Sequence, residues 1–176
     1  ITDLWGPQYQ GVSITRLGNG DGTFRPGLTA TPYIGNEGLA PGFVADLNND
    51  GNQDVVWIGG GGIQGGPRPR YLAGLGNGDG TFQITFVQDA VTRVIEPGDF
   101  NDDGFMDFAA RGDSNSGPYV ELMLGDPSVP GTFIQSMRVQ LDPQQENSAA
   151  LTVNDFDGDG QLDIAVVLTD SNKPPH

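Results

Sequence analysis

The chain has 176 residues, with 36% hydrophobic residues, 28 Gly and 13 Pro, enough for one turn-rich domain with a modest core. Twenty-three acids against eight bases give a net charge of −15, which argues against nucleic acid and anionic membrane surfaces as partners. The absence of Cys excludes a disulfide scaffold, thiol catalysis and zinc–thiolate sites, and no run approaches the roughly 18 apolar residues of a membrane helix.

From the N-terminus, Ile1-Thr-Asp-Leu-Trp5 lacks the basic start and apolar run of a secretory signal, so the chain reads as a mature form or a fragment. A strand over Val12–Leu17 runs into Leu17-Gly-Asn-Gly-Asp-Gly-Thr-Phe24. Asn-Gly and Asp-Gly steps favour primed hairpin turns, which need positive φ. The closing Phe is expected to tuck under the turn. Next comes Asp46-Leu-Asn48-Asn-Asp50-Gly51-Asn52-Gln-Asp54, and a short apolar strand over Val55–Ile58. Gly59–Gly62 and Gly65–Arg70 read as a loop. A phosphate cradle would need a strand-to-helix setting and usually a Lys, and neither is present.

A strand over Arg70–Leu75 leads to a near-identical hairpin, Leu75-Gly-Asn-Gly-Asp-Gly-Thr-Phe82, and a strand near Phe82–Val87. The aspartate pattern returns as Asp99-Phe-Asn101-Asp-Asp103-Gly104-Phe105-Met-Asp107, followed by a strand at Phe108–Ala110. Arg111-Gly-Asp-Ser114 then spells an integrin-recognition tripeptide, expected in an exposed polar loop. Chance is the simpler explanation in a chain so rich in Gly and Asp. Strands over Tyr119–Leu124 and Phe133–Leu141 flank a degraded third hairpin, Leu124-Gly-Asp-Pro-Ser-Val-Pro-Gly-Thr-Phe133, two residues longer. The last pattern is Asp155-Phe-Asp157-Gly-Asp159-Gly160-Gln161-Leu-Asp163, with a strand over Ile164–Leu168. No segment sustains a 3.6-residue period, so almost no helix is expected.

The three aspartate patterns share one chemistry. Each places oxygen side chains at positions 1, 3, 5 and 9 and Gly at position 6. Calcium takes six to eight oxygen ligands, and a tight loop can present them from alternate residues. Position 7 (Asn52, Phe105, Gln161) varies freely, as it would if only its carbonyl were used. An EF-hand would need Glu at position 12, which here is Trp57, Ala110 or Val166 inside apparent strands. The expected ligands are therefore Asp46, Asn48, Asp50, Asn52 and Asp54; Asp99, Asn101, Asp103, Phe105 and Asp107; and Asp155, Asp157, Asp159, Gln161 and Asp163. They would hold about three Ca²⁺ ions in a structural role. The Asn-Gly-Asp-Gly turns read as plain turn chemistry rather than further cation sites.

Catalytic constellations are not evident. His176 is the only histidine, so a Ser-His-Asp triad is not expected. Glu37, Glu96, Glu121 and Glu146 sit in no recognisable catalytic context. Trp5, Trp57 and the four Tyr read as packing residues rather than sugar platforms.

The intervals between equivalent motifs, near 50 residues, point to a repeat array such as a propeller. The motifs resemble the FG-GAP/VCBS repeat family, the integrin α-subunit type of β-propeller. Val44-Ala-Asp-Leu-Asn-Asn-Asp-Gly51, Gly98-Asp-Phe-Asn-Asp-Asp-Gly104 and Asn154-Asp-Phe-Asp-Gly-Asp-Gly160 carry the resemblance, together with the Leu-Gly-Asn-Gly-Asp-Gly-Thr-Phe hairpins. It implies an all-β fold of four-stranded antiparallel blades, with calcium loops between strands. Residues 1–176 would form a single domain of about three repeats. Family propellers usually close with about seven blades, and the two ends here carry complementary halves of one. An excised part of a larger propeller, self-closure and blade completion between chains all follow, with self-closure ranked last. The resemblance implies a non-enzymatic, extracellular adhesion or recognition scaffold for a protein or glycan ligand, self-associating through incomplete blade edges. Alternatives are a calcium-dependent lectin, a filament subunit, and an accessory piece of a larger secreted enzyme.

Overall fold

The computed structural model describes residues 12–26, 28–32, 39–59, 70–89, 92–114, 116–141 and 150–167. Among them there are twelve strands and no helix: β1 (Val12–Thr15), β2 (Leu28–Pro32), β3 (Leu39–Ala45), β4 (Asp54–Gly59), β5 (Arg70–Gly76), β6 (Phe82–Asp89), β7 (Thr92–Gly98), β8 (Asp107–Ser114), β9 (Gly117–Gly125), β10 (Phe133–Gln140), β11 (Ala150–Asn154) and β12 (Asp163–Val167). Two sheets have four antiparallel strands, β3-β4-β5-β6 and β7-β8-β9-β10. β1-β2 and β11-β12 form two-stranded sheets.

The two complete sheets are copies of one blade. In each, an aspartate loop joins the first two strands and a Leu-Gly hairpin joins the last two. Register repeats as well: Trp57 lies opposite Leu72, and Ala110 opposite Glu121, each three residues past the last Asp of the loop and three before the hairpin Leu. β1-β2 flank a hairpin and so match the outer half of a blade. β11-β12 flank an aspartate loop and match the inner half. Sequence reading missed the strands that precede the loops, β3, β7 and β11, and also β2.

Blades stack face to face, which explains the unbroken apolar runs after each loop. Val55 and Trp57 pack with Leu72, Phe82 and Ile84 on one side of their sheet. Val56 points the other way, into a core with Phe43, Tyr71, Ile95, Phe108, Met123 and Phe133. A strand covered on both sides reads as continuous hydrophobic sequence. Phe108 is its aromatic centre, 4.9 Å from Tyr71 and 4.8 Å from Phe133 in edge-on geometry. A third cluster joins Ala109 and Val120 to Leu151, with Val153, Ile164 and Val166 packed around it. The first strands of successive units, β3, β7 and β11, touch in that order.

Two expectations change. Arg111 lies within β8 with only 3% of its surface exposed, so the Arg-Gly-Asp stretch is part of a blade and not a displayed loop. Phe82 and Phe133 pack beneath their hairpins, but Phe24 is 63% exposed. Trp57 packs edge-on against Phe82, as expected of a core aromatic. Trp5, Glu37, Glu146, Leu168, His176 and most of the Gly59–Arg70 loop lie outside the described residues.

Candidate metal centres

Each aspartate loop is folded by its own carboxylates. The first Asp accepts from the amide of the position-6 Gly: Gly51 to Asp46 at 2.8 Å, Gly104 to Asp99 at 2.9 Å and Gly160 to Asp155 at 2.9 Å. Position 3 accepts from the amide of position 5, at 3.1 Å in Asn48–Asp50, 3.2 Å in Asn101–Asp103 and 3.1 Å in Asp157–Asp159. Position 5 accepts from the amide of position 7, with Asn52, Phe105 and Gln161 as donors at 2.7–2.8 Å. These successive side-chain turns wind positions 1, 3 and 5 onto one concave side, the arrangement that alternate ligands require.

The winding needs two left-handed residues per loop. Position 6 is Gly with φ of 83–91°. Position 4 is also left-handed: Asn49 at 57°, Asp102 at 56° and Gly158 at 83°. Asn, Asp and Gly are the residues that tolerate this region. Position 4 went unnoticed in the sequence because three residue types occupy it, although all three belong to that small set.

Position 9 does something different. Asp54 is fully buried; its Oδ2 accepts from the Leu47 amide at 2.7 Å, and its Oδ1 from the Gly76 amide at 2.7 Å. Asp107 repeats this with Phe100 at 2.9 Å and Gly125 at 2.8 Å. Asp163 keeps the first bond, to Phe156 at 3.0 Å. One carboxylate thus ties the loop to the hairpin of the same blade, making the two repeated motifs one unit. Burial pushes the Asp54 and Asp107 carboxyls above the usual range. Two amide donors oppose the rise in each, while the neighbouring Asp50 and Asp46, or Asp103 and Asp99, reinforce it. Each carboxylate offers about four acceptor sites, so two amide bonds leave lone pairs for a cation.

The loops differ in charge. Asp155, Asp157 and Asp159 bring carboxylate oxygens within 4.8 Å of one another, the only such trio among the described residues. The first two loops carry Asn48 and Asn101 at position 3, and their amide nitrogens donate to Asp50 at 2.9 Å and Asp103 at 3.0 Å. The hairpin aspartates turn on themselves. Asp21 and Asp79 each accept from the amide and hydroxyl of the Thr two residues on, and Asp126 accepts likewise from Ser128. These bonds hold the three carboxyls below the usual range. The longer third hairpin still closes, with the Asp126 amide on the Thr132 carbonyl at 3.0 Å, as Asn77 closes on Thr81.

Stacked four-stranded antiparallel sheets with an aspartate loop inside each blade define a propeller-type repeat module. A family model described as FG-GAP-like repeat matches residues 46–110 and again 99–166, well over half of the chain. The chain belongs to the FG-GAP repeat family. Repeats of this family often bind calcium, are typical of extracellular proteins and generally serve as non-enzymatic scaffolds. No curated protein and no solved structure shows significant similarity to the chain. Among the described residues, no helix is long and apolar enough to cross a membrane.

Proposed function

We propose that this chain is an extracellular, calcium-stabilised propeller module that works as a non-enzymatic recognition scaffold for protein or glycan. The observation that carries the reading is the shared loop geometry. Three loops present oxygen-only donors from positions 1, 3 and 5, and in the third the carboxylates converge within 4.8 Å. A hard, oxygen-seeking cation suits that donor set. Asp46, Asn48, Asp50 and Asp54 would hold the first ion, with the Asn52 carbonyl. Asp99, Asn101, Asp103, Asp107 and the Phe105 carbonyl would hold the second. Asp155, Asp157, Asp159, Asp163 and the Gln161 carbonyl would hold the third. Bound metal would neutralise crowded carboxylates and lock each loop, leaving other loops to present the ligand-binding surface.

Calorimetric titration of the metal-free chain with Ca²⁺ tests this, with thermal unfolding in EDTA alongside. About three sites are expected. An ion at 100 times its dissociation constant adds about 2.7 kcal/mol, so chelation should lower Tm by roughly 5–10 °C per occupied site. Asp159→Ala should weaken one site and leave the others titrating. Identical melting curves with and without EDTA would refute calcium stabilisation.

A further inference from the structure

We infer that the first two metal sites are coupled through Asn49, so that filling either raises the affinity of the other, and that the second and third sites lack this link. The inference rests on the calcium reading above and concerns how those sites act on one another.

Among the described residues, one hydrogen bond crosses from one aspartate loop to another: Asn49 Nδ2 donates to the Gly104 carbonyl at 3.1 Å. Both of its ends are pinned between ligand positions. Asn49 stands between Asn48 and Asp50, and the Asp50 amide donates to Asp46 and Asn48, each at 3.1 Å. Gly104 stands between Asp103 and Phe105. Its own amide donates to Asp99 at 2.9 Å, and the Phe105 amide to Asp103 at 2.8 Å. Asn49 and Gly104 are also left-handed residues on which their loops wind, at φ of 57° and 83°. An ion that fixes the carboxylates of either loop thereby fixes one end of the bond. The partner loop then has less backbone freedom to lose when its own ion arrives, which is positive coupling by ordering.

The junction between the second and third loops is an internal comparison. Its apolar half is the same. At the first junction Ala45, the residue before Asp46, lies in a core cluster against which Met106, position 8 of the second loop, is packed. At the second junction the residue before Asp99 is Gly98, whose Cβ would meet Leu162, position 8 of the third loop, at 2.5 Å. The strands agree, since β7 touches both β3 and β11. The polar half differs. Position 4 of the second loop is Asp102, and a carboxylate accepts hydrogen bonds but cannot donate one to a carbonyl.

Charge opposes the coupling, because an ion in one loop weakens the pull on the next. That opposition acts at both junctions and fades with salt, as the Debye length shrinks to about 3 Å at 1 M. The Asn49 bond joins two neutral groups at one junction only, so the difference between junctions at high salt isolates it. The net contribution of one hydrogen bond corresponds to about a 2- to 10-fold change in an equilibrium constant, which bounds the effect.

The amides of Gly51, Gly104 and Gly160 each donate to the first Asp of their own loop. In the isotope-labelled chain they are separate nuclear magnetic resonance reporters of the three sites, to be titrated with Ca²⁺ in about 1 M KCl. Silencing the first site with Asp50→Ala should lower the affinity reported by Gly104 by about 2- to 10-fold. In an Asn49→Gly background, which keeps the left-handed turn and removes the donor, the same silencing should leave that affinity unchanged. Asp102→Asn supplies the missing donor at the second junction. Silencing the third site with Asp159→Ala should then weaken the Gly104 response, as it does not in the native chain. The inference is overturned if Asp50→Ala acts equally on Gly104 with and without Asn49 while all three glycine signals still respond to Ca²⁺; the calcium reading then stands without coupling. Glycine signals that ignore Ca²⁺ overturn both.

Discussion

Gly76→Ala isolates the junction between an aspartate loop and its hairpin. The new Cβ would sit 2.2 Å from the Gln53 carbonyl oxygen, more than an ångström inside ordinary contact. That oxygen belongs to the backbone immediately before the loop's last Asp, so the strain cannot be relieved by a rotamer change. Forced overpacking costs about 1–3 kcal/mol. Separating the strands also stretches the 2.7 Å bond from the Gly76 amide to Asp54, and hydrogen bonds to charged groups contribute about 1.5–3 kcal/mol. A net loss of about 3 kcal/mol is expected, which for a chain of this size lowers Tm by roughly 6–12 °C. Gly18→Ala is the internal control: it has the same place in the same motif but open surroundings. Measured by thermal unfolding of the dilute chain in EDTA, it should shift Tm by less than about 2 °C, the usual range for a surface change. Equal shifts for the two variants would refute the idea that a loop and its hairpin are pressed together in complete blades only.

The same contrast holds for the hairpin phenylalanines: Phe133→Ala should lose about 3–5 kcal/mol in urea unfolding, as for other buried aromatics, and Phe24→Ala should lose little when the chain is dilute. In EDTA, stability should rise as pH falls from neutrality toward the raised pKa values of Asp54 and Asp107, because the folded state takes up those protons first. Below 3.8 it should fall, as the hairpin carboxyls Asp21, Asp79 and Asp126, held low in the folded state, become protonated. A pH series of melting curves checks both limbs.

The three loops and three hairpins were legible because their function is local: fixed oxygen spacing and fixed left-handed positions leave a direct trace in sequence. The strands entering each loop were not. β3 contains Pro41-Gly42 and β7 ends in Pro97-Gly98, pairs that ordinarily break strands. Both strands are sheet edges, where a missing amide donor is tolerated. Their glycines answer to crowding between blades: a Cβ on Gly42 would meet Ile95 at 2.3 Å, and one on Gly98 would meet Leu162 at 2.5 Å. Such contacts join residues more than fifty positions apart and carry no local signal. Position 9 was expected only as a ligand; its part as a brace left no local trace, since its second amide partner lies in the other motif. The Arg-Gly-Asp reading failed for the opposite reason: a short polar string looked like a loop, yet Arg111 lies inside a strand between packed sheets.

Because the strands of each blade run up and down in turn, every aspartate loop and every Leu-Gly hairpin emerges at the same rim. Asp46, Asp99, Asp155 and their neighbours therefore gather there with Asp21, Asp79 and Asp126, while the opposite rim receives none of these motifs. Among the described residues, the rim of loops and hairpins therefore carries a dense belt of carboxylates. The potential of such a belt would raise the local concentration of cations and steer them to that rim before contact.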